Sequence, residues 1–159
     1  MNSKFWKDKN VLLTGHTGFK GGWLTFWLSE LGANVYGFSL DPPTEPNFFN
    51  ATKLKSRLKA SFIGDIRDSD SLIKSVTIAK PDLVFHLAAQ PIVRDSYQNP
   101  IETLSSNVLG TANLLEAVRK SSSVRAIVNV TSDKCYEDRG ENIPYRETDS
   151  LGGSDPYSA

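Results

Sequence analysis

Hydrophobic and polar residues follow two periods along the chain, one typical of strands and one typical of helices. Within Lys20–Leu31, four apolar residues recur at i, i+3, i+4 and i+7, the spacing of one helix face, and Gly32 is expected to end that helix. Short apolar runs that stop at turn or polar residues lie between the helical stretches and predict buried strands. The predicted strands are Val11–Thr14, Val35–Leu40, Ser61–Ile63, Asp82–Leu87 and Ala126–Thr131.

The segments between these runs predict the remaining helices and loops. They are a helix through Val76 capped by Ser69 or Asp70, a long helix from Pro100 to Val118, a loop over Ala88–Asn99 and a mixed stretch over Thr44–Lys59. Strands that alternate with helical crossovers of this length predict an α/β fold, a doubly wound parallel sheet of the Rossmann type. Because a complete sheet of this type has six strands, we interpret residues 1–159 as one domain, incomplete at its C-terminus.

Charge and cysteine content exclude several classes of function. Eighteen basic and eighteen acidic residues give zero net charge, so a nucleic-acid-binding surface is not expected. Cys135 is the single cysteine, which precludes an intrachain disulfide, and two histidines far apart in sequence do not suggest a metal site. The charged N-terminus precedes only three or four apolar residues, which resembles neither a signal peptide nor a membrane span. We therefore expect a cytoplasmic protein.

Three glycines follow the first predicted strand at spacings of three, where the helical pattern begins. Gly15 permits the turn, Gly18 leaves room for a phosphate close to the backbone, and Gly21 lets the helix pack tightly on the sheet. The helix N-terminus would direct free N–H groups and its positive dipole end at a pyrophosphate. The strand and helix on either side favour nucleotide binding over an ordinary turn.

Candidate site residues follow the carboxyl ends of the predicted strands, where ligands of open parallel sheets bind. Small residues after the fourth strand suit a flat cofactor but are equally typical of a tight strand exit. Ser132, Asp133 and Lys134 bring a hydroxyl, a carboxylate and an amine together after the fifth strand, although a polar loop start gives the same pattern. The other strand-end candidates are Ser39, Asp41, Asp65, Leu87, Ala88, Ala89, Gln90 and Thr131.

Several motifs together carry a resemblance to a known family. They are Thr14–Gly21, Phe85–Gln90 and Asp155–Ala159, with Gly18–Leu24, Ser39–Pro46 and Thr131–Tyr136 as the more specific ones. On these motifs the chain resembles the extended short-chain dehydrogenase/reductases, and among them the sugar-nucleotide 4,6-dehydratases, most narrowly those acting on CDP-glucose. The resemblance covers all 159 residues.

The resemblance implies NAD as cofactor and assigns roles to residues of this chain. Tyr157 would remove the C4 hydroxyl proton, Ser132 would hydrogen-bond the substrate near C4, Asp133 would protonate the departing C6 hydroxyl, and Lys134 would take the C5 proton. Residues implied to contact the cofactor are Gly15, Thr17, Gly18, Phe19, Lys20, Gly21, Ser39, Asp41, Asp65, Ile66, Leu87, Ala88, Ala89, Gln90, Ser106, Asn107, Thr131 and Tyr157.

The resemblance also implies a lyase of deoxysugar biosynthesis, as used for lipopolysaccharide O-antigens, that forms a homodimer or a dimer of dimers. The sugar nucleotide would bind a C-terminal part that this chain does not include. The lysine of the family's Tyr-x-x-x-Lys motif would fall beyond Ala159, so we expect this chain alone to be inactive. Another sugar-nucleotide epimerase or reductase, or a non-catalytic NAD-binding protein, remains an alternative. Whether Ser39 or Asp41 holds the adenosine ribose also stays open.

Overall fold

A five-stranded parallel sheet with helices on both faces forms the centre of the molecule, in a computed structural model that describes residues 3–140 and 143–158. The strands are β1 Asn10–Thr14, β2 Asn34–Ser39, β3 Ala60–Ile63, β4 Leu83–His86 and β5 Ala126–Asn129. The helices are α1 Ser3–Trp6, α2 Phe19–Glu30, α3 Phe48–Ala51, α4 Ser69–Ala79, α5 Val93–Gln98, α6 Pro100–Leu104 and α7 Gly110–Arg119. Two 3-10 turns, Leu54–Arg57 and Asp133–Cys135, and a π-helical turn, Ser105–Leu109, complete the set.

The strand order β3-β2-β1-β4-β5 confirms the predicted doubly wound sheet. Val11 of β1 pairs with Val35 on one side and with Leu83 on the other, and all four strand pairs are parallel. The chain builds outward from β1 through β2 to β3 and then crosses to β4 on the other side of β1. Where the strand order reverses in this way, the carboxyl ends of the strands border a crevice in which ligands of such sheets bind. This crevice is the place to look for the site.

Each face of β1 anchors a separate apolar layer. Alternate residues of a strand point to opposite faces, so Leu12 packs with the α4 and α7 side while its neighbours Val11 and Leu13 pack on the α2 side. All three side chains are fully buried. Burial of one such side chain stabilises a fold by about 1.5–3 kcal/mol, so the two layers fix the sheet and hold the loops at its carboxyl edge.

Three local expectations are corrected by the structure. The cap of α4 is Asp68, whose carboxylate accepts hydrogen bonds from the backbone N–H of Asp70 (3.1 Å) and Ser71 (3.2 Å). The loop expected over Ala88–Asn99 contains the helix α5. The helix that begins at Pro100 is interrupted by the π-helical turn before it continues as α7.

Strand β5 lies at the edge of the sheet, with much of its surface exposed. It pairs only with β4 among the described strands, and Val128 is 45% exposed. An apolar strand edge of this kind is a template for further pairing, as expected from the predicted incomplete sheet.

Candidate active site

The glycine turn after β1 holds a conformation that the neighbouring backbone encloses. Gly15 adopts φ +77° and donates its N–H to the carbonyl of Phe38 at 2.9 Å. A Cβ at this position would lie 2.8 Å from the backbone nitrogen of Ala88, so both the left-handed φ and the available space require glycine. Gly18 is the N-cap of α2, and no side chain caps this helix. The first-turn N–H groups of α2 therefore remain available to an anion.

Gly21 packs against the turn itself rather than against the sheet. A Cβ at Gly21 would lie 2.1 Å from the carbonyl oxygen of Gly15 and 3.0 Å from Cα of His16. This contact is shorter than any side chain tolerates, so the third glycine sets how closely the helix folds back onto its own turn. The helix packs closely at Gly21 as expected, but it packs on the turn at Gly15 and His16 and not on the sheet.

Thr17 joins the glycine turn to the end of β2. Its hydroxyl donates to the carbonyl of Leu40 at 2.8 Å and lies 2.8 Å from the hydroxyl of Ser39. Because a hydroxyl has one proton, Thr17 must accept from Ser39, whose own proton is thereby committed. Ser39 is buried and Asp41 is exposed. A ribose hydroxyl that needs an anionic acceptor would therefore find it at Asp41 rather than at Ser39.

His16 is a site-adjacent residue that the sequence reasoning missed. Its ring is fully buried, its Nε2 lies 2.8 Å from the hydroxyl of Ser61, and it meets the ring of Phe49 edge-on at 5.4 Å. A Cβ at Gly37 would lie 2.4 Å from the imidazole, so this mid-strand glycine makes room for the ring. Burial lowers the pKa of His16 to about 4, and an interaction with the backbone of Phe38 offsets part of this decrease. A glycine inside an apolar strand was the available signal.

The loop after β3 is held from two directions. Asp65 accepts hydrogen bonds from the side chain and the backbone N–H of Arg67, and these bonds hold the pKa of the carboxyl below its usual value. Asn113 of α7 donates its side-chain N–H to the carbonyl of Arg67 at 3.0 Å. Ile66 is buried in the core, where a Cβ at Gly110 would lie 2.5 Å from its side chain. Ile66 is thus mainly a packing residue.

The exit of β4 runs close to the glycine turn. The N–H groups of Leu87 and Ala88 both lie 3.2 Å from the hydroxyl oxygen of Thr14. Further along, Asn107 in the π-helical turn accepts from the N–H of Gln90 at 2.8 Å and donates to its carbonyl at 3.0 Å. The structure therefore brings four predicted cofactor residues, Leu87, Ala88, Gln90 and Asn107, together beyond β4, with Leu87 and Ala88 beside the glycine turn.

The predicted cofactor residues differ in their exposure to solvent. Those exposed at this edge are Phe19, Lys20, Asp41, Ala89 and Thr131. Those half-buried are Gly15, Gly18, Asp65, Leu87, Ala88, Gln90, Ser106 and Asn107.

The predicted catalytic residues lie after β5, in and near a 3-10 turn. Ser132 donates to Asp133 at 3.2 Å and accepts the backbone N–H of Lys134 at 3.2 Å. Asp133 and Lys134 line a cleft of about 570 Å³ together with Asp155 and Ser158. The structure thus brings the carboxylate and the amine to the same cleft.

Tyr157 is held at the other side of this region by Asp155. The carboxylate of Asp155 accepts from the N–H of Tyr157 at 2.9 Å and from the hydroxyl of Ser158 at 2.7 Å. The hydrogen bond from Ser158 and, to a smaller extent, the charge of Lys134 hold the pKa of Asp155 below its usual value. Among the described residues, the Tyr157 hydroxyl makes no hydrogen bond to Ser132, Asp133 or Lys134. The catalytic role of Tyr157 stays a prediction.

Comparison with known proteins identifies the family. Residues 12–159 match the sequence profile described as GDP-mannose 4,6 dehydratase. The chain belongs to the GDP-mannose 4,6-dehydratase family. Within this family it is 52% identical over 158 residues to the CDP-glucose 4,6-dehydratase of Salmonella typhimurium, covering 99% of this chain and 44% of that protein. The chain therefore spans less than half the length of this curated relative.

Solved structures share the fold of this member of the GDP-mannose 4,6-dehydratase family. The UDP-glucose-4-epimerase of Stenotrophomonas maltophila, with bound NAD and formylated UDP-arabinopyranose, is 25% identical with a TM-score of 0.79, covering 94% of this chain and 44% of that one. The UDP-glucose 4-epimerase of Thermus thermophilus in complex with NAD is 26% identical with a TM-score of 0.77, covering 93% and 46%. These neighbours support the doubly wound architecture.

Residues 3–140 and 143–158 were searched for membrane-spanning helices and for clusters of metal-ligating side chains. Within these ranges, no helix is long and apolar enough to cross a membrane. The same ranges contain no group of three or more His, Cys, Asp or Glu side chains that could hold a metal ion.

Proposed function

We propose that the protein carrying this chain is a cytoplasmic lyase that uses NAD to convert CDP-glucose to CDP-4-keto-6-deoxyglucose. The observation that carries the proposal is the pairing of Asp133 and Lys134 at one cleft after β5. Its strongest support from known proteins is the 52% identity to a CDP-glucose 4,6-dehydratase. Removing water across C5 and C6 needs a proton donor and a proton acceptor close together, and this pair supplies both types of group.

The glycine turn fits the pyrophosphate of NAD. A Cβ at Gly18 would have one neighbour within 4 Å, the carbonyl oxygen of Gly15 at 3.3 Å, so a single backbone atom borders the space in front of it. The first-turn N–H groups of α2 point into the same region, where an anion is favoured. Asp41 would accept from the ribose, and the backbone at Leu87 and Ala88 would lie along the nicotinamide half. NAD, when bound, supplies the hydride acceptor at C4 and the hydride donor at C6.

The candidate catalytic residues, two of which line the cleft, divide the proton transfers. Tyr157 takes the proton of the C4 hydroxyl, and Ser132 orients that hydroxyl. Lys134 takes the proton at C5, while Asp133 gives a proton to the departing C6 hydroxyl. A lysine must be neutral when it accepts a proton. We therefore expect the bound substrate to exclude water from the cleft before the C5 proton is removed.

A homodimer is supported by an apolar stripe along the helix that begins at Pro100. The exposed apolar side chains of this stripe are Ile101, Leu104, Val108, Leu109 and Leu115. Four of them recur at spacings of three, four and seven, which is the pattern of a helix that packs on another helix. A second copy of the chain, related by a two-fold axis, would cover this stripe with the same stripe of its own.

Proton exchange at C5 tests the proposal. The protein carrying this chain is incubated with CDP-glucose and NAD in deuterated water, and deuterium at C5 and the 4-keto-6-deoxy product are measured. We expect Lys134→Ala to retain C4 oxidation but lose C5 exchange, and Asp133→Asn to stop before loss of the C6 hydroxyl. Each loss of an acid or base should cost about 10²–10⁴-fold in the rate of product formation. Lys55→Ala, an exposed lysine outside this cleft, is the matched control.

Two outcomes would contradict the assignment. Wild-type C5 exchange in Lys134→Ala would remove Lys134 from the role of base. Formation of a C4 epimer without loss of water would instead identify an epimerase, the activity named for the solved structural neighbours.

A further inference from the structure

His86, the last residue of β4, lies buried between two threonine hydroxyls. Its ring is only 3% exposed. Its Nδ1 is 2.6 Å from the hydroxyl oxygen of Thr14 on β1, and its Nε2 is 3.0 Å from the hydroxyl oxygen of Thr111 on α7. The imidazole therefore connects β1, the strand before the glycine turn, to α7.

The proton positions of this connection follow from the remaining bonds. The hydroxyl of Thr111 lies 2.6 Å from the carbonyl oxygen of Asn107, which can only accept, so Thr111 donates there. Thr111 has no second proton and must accept from Nε2–H of His86. Nδ1 of the neutral ring is then bare and accepts from the hydroxyl of Thr14. Burial lowers the pKa of His86 to about 4, which keeps the ring neutral near pH 7.

This arrangement turns the lone pairs of Thr14 toward the β4 exit. With its proton directed at His86, the Thr14 hydroxyl oxygen receives the N–H groups of Leu87 and Ala88, both at 3.2 Å. The Leu87 N–H is shared with the backbone carbonyl of Thr14, also at 3.2 Å. The same two residues pass so close to Gly15 that a Cβ there would lie 2.8 Å from the Ala88 nitrogen and the Leu87 carbonyl carbon. The orientation of one hydroxyl thus decides how the β4 exit lies beside the glycine turn.

We propose that His86 is a positioning residue of the cofactor site, whose Nε2–H tautomer orients the Thr14 hydroxyl so that Leu87 and Ala88 are held against the glycine turn. The proposal rests on the proposed function, because it takes this edge to be the NAD site. Of the two hydrogen bonds of His86, the one with Thr14 controls cofactor affinity, whereas the one with Thr111 only selects the tautomer.

Two substitutions separate the two bonds. The side-chain amide of His86→Asn reaches the place of Nδ1 and can still accept from Thr14, whereas that of His86→Gln reaches the place of Nε2 and retains only the bond to Thr111. Asn is one methylene smaller than Gln, so a role of His86 in packing alone would harm His86→Asn more than His86→Gln. We expect NAD affinity, measured by calorimetric titration of the protein carrying this chain, to fall at least tenfold in His86→Gln and no more than about threefold in His86→Asn.

Thr14 gives an independent check on the same bond. Thr14→Val should lose NAD affinity as His86→Gln does, and Thr14→Ser should restore it. NAD affinity in His86→Asn that is equal to or lower than that in His86→Gln would overturn the proposal, because a purely structural role would harm the smaller side chain at least as much.

The tautomer can be read without the cofactor. Nitrogen NMR of histidine-labelled protein should show a protonated Nε2 and a bare Nδ1 for His86 near pH 7, with the signal assigned by its loss in His86→Asn. Amide exchange at Leu87 and Ala88 should be faster in His86→Gln than in His86→Asn. An Nδ1–H tautomer, or equal exchange in both variants, would refute the positioning role. Failure of the wild-type protein to bind NAD would refute the proposed function, while these two measurements still decide the role of His86.

Discussion

Replacing Gly21 with alanine tests how closely α2 folds onto the glycine turn. The new Cβ would lie 2.1 Å from the carbonyl oxygen of Gly15, 2.7 Å from its carbonyl carbon and 3.0 Å from Cα of His16. All three atoms belong to the backbone of the turn, so no side chain can rotate away. Gly22 is the matched control, because a Cβ there meets only the outer ends of side chains, the ring of half-buried Phe48 at 2.7 Å and a terminal methyl group of Leu54 at 3.2 Å.

The expected change in the free energy of unfolding results from two opposing effects. In a helix interior, glycine to alanine gains about 0.5–1 kcal/mol, and this gain is common to both variants. Forcing an extra methyl group into closely packed surroundings lowers the free energy of unfolding by about 1–3 kcal/mol. The upper end of this range applies at Gly21, because only backbone atoms surround the new methyl group there. We therefore expect Gly21→Ala to lower the free energy of unfolding by about 2 kcal/mol and Gly22→Ala to leave it nearly unchanged.

Urea unfolding of the two variants and the wild-type protein measures this difference. A loss of about 2 kcal/mol corresponds to a midpoint shift of about 1 M for a slope of about 2 kcal/mol per M. NAD titration provides the second readout, because a displaced turn no longer presents the N–H groups of α2 correctly. If Gly21→Ala were as stable as Gly22→Ala, the close approach of helix and turn would not be a feature of the folded protein.

Two further predictions concern buried polar groups. The pKa values of His16 and His86 are lowered from 6.5 to about 4, so the unfolded chain binds more protons between these values and stability falls as pH decreases from 6.5 to 4. Each histidine should account for about 3 kcal/mol of this fall, and urea midpoints that stay flat over this range would contradict the prediction. Thr17→Val removes the hydrogen bonds to Ser39 and to the Leu40 carbonyl. It should lower the free energy of unfolding, measured by thermal unfolding, by about 1–3 kcal/mol. Thr44→Val, whose hydroxyl is exposed, should cost much less, and equal losses would show that the Thr17 bridge does not stabilise the turn.

The hydrophobic pattern was sufficient to predict the sheet and the glycine turn. Strand periodicity and glycine spacing are local properties, which is why the five strands and the turn at Gly15 could be anticipated. The helix cap could not be chosen by sequence, since Asp68, Ser69 and Asp70 are all good capping residues. Only the backbone conformation at Asp68 decides among them.

The bonding of the site residues depended on contacts that no local pattern contains. Ser39 looked like a ribose ligand because it ends a strand, but Thr17 of the neighbouring turn binds its hydroxyl. The roles of His16 and His86 follow from residues distant in sequence, namely Ser61 and Thr111. Sequence reasoning therefore located the edge where the site lies, while tertiary structure determined which groups remain available there.

The helix that begins at Pro100 touches the site edge at two points with a fixed interval between them. Asn107 binds the backbone of Gln90 beyond β4, and Asn113 binds the backbone of Arg67 beyond β3. At a rise of about 1.5 Å per residue, about 9 Å of helix separates the two asparagines, and inserting or deleting one residue would rotate one of them by about 100° relative to the other. In evolution this stretch can therefore exchange side chains but cannot change length. Insertions and deletions should instead accumulate in loops whose side chains are exposed, such as residues 44–46.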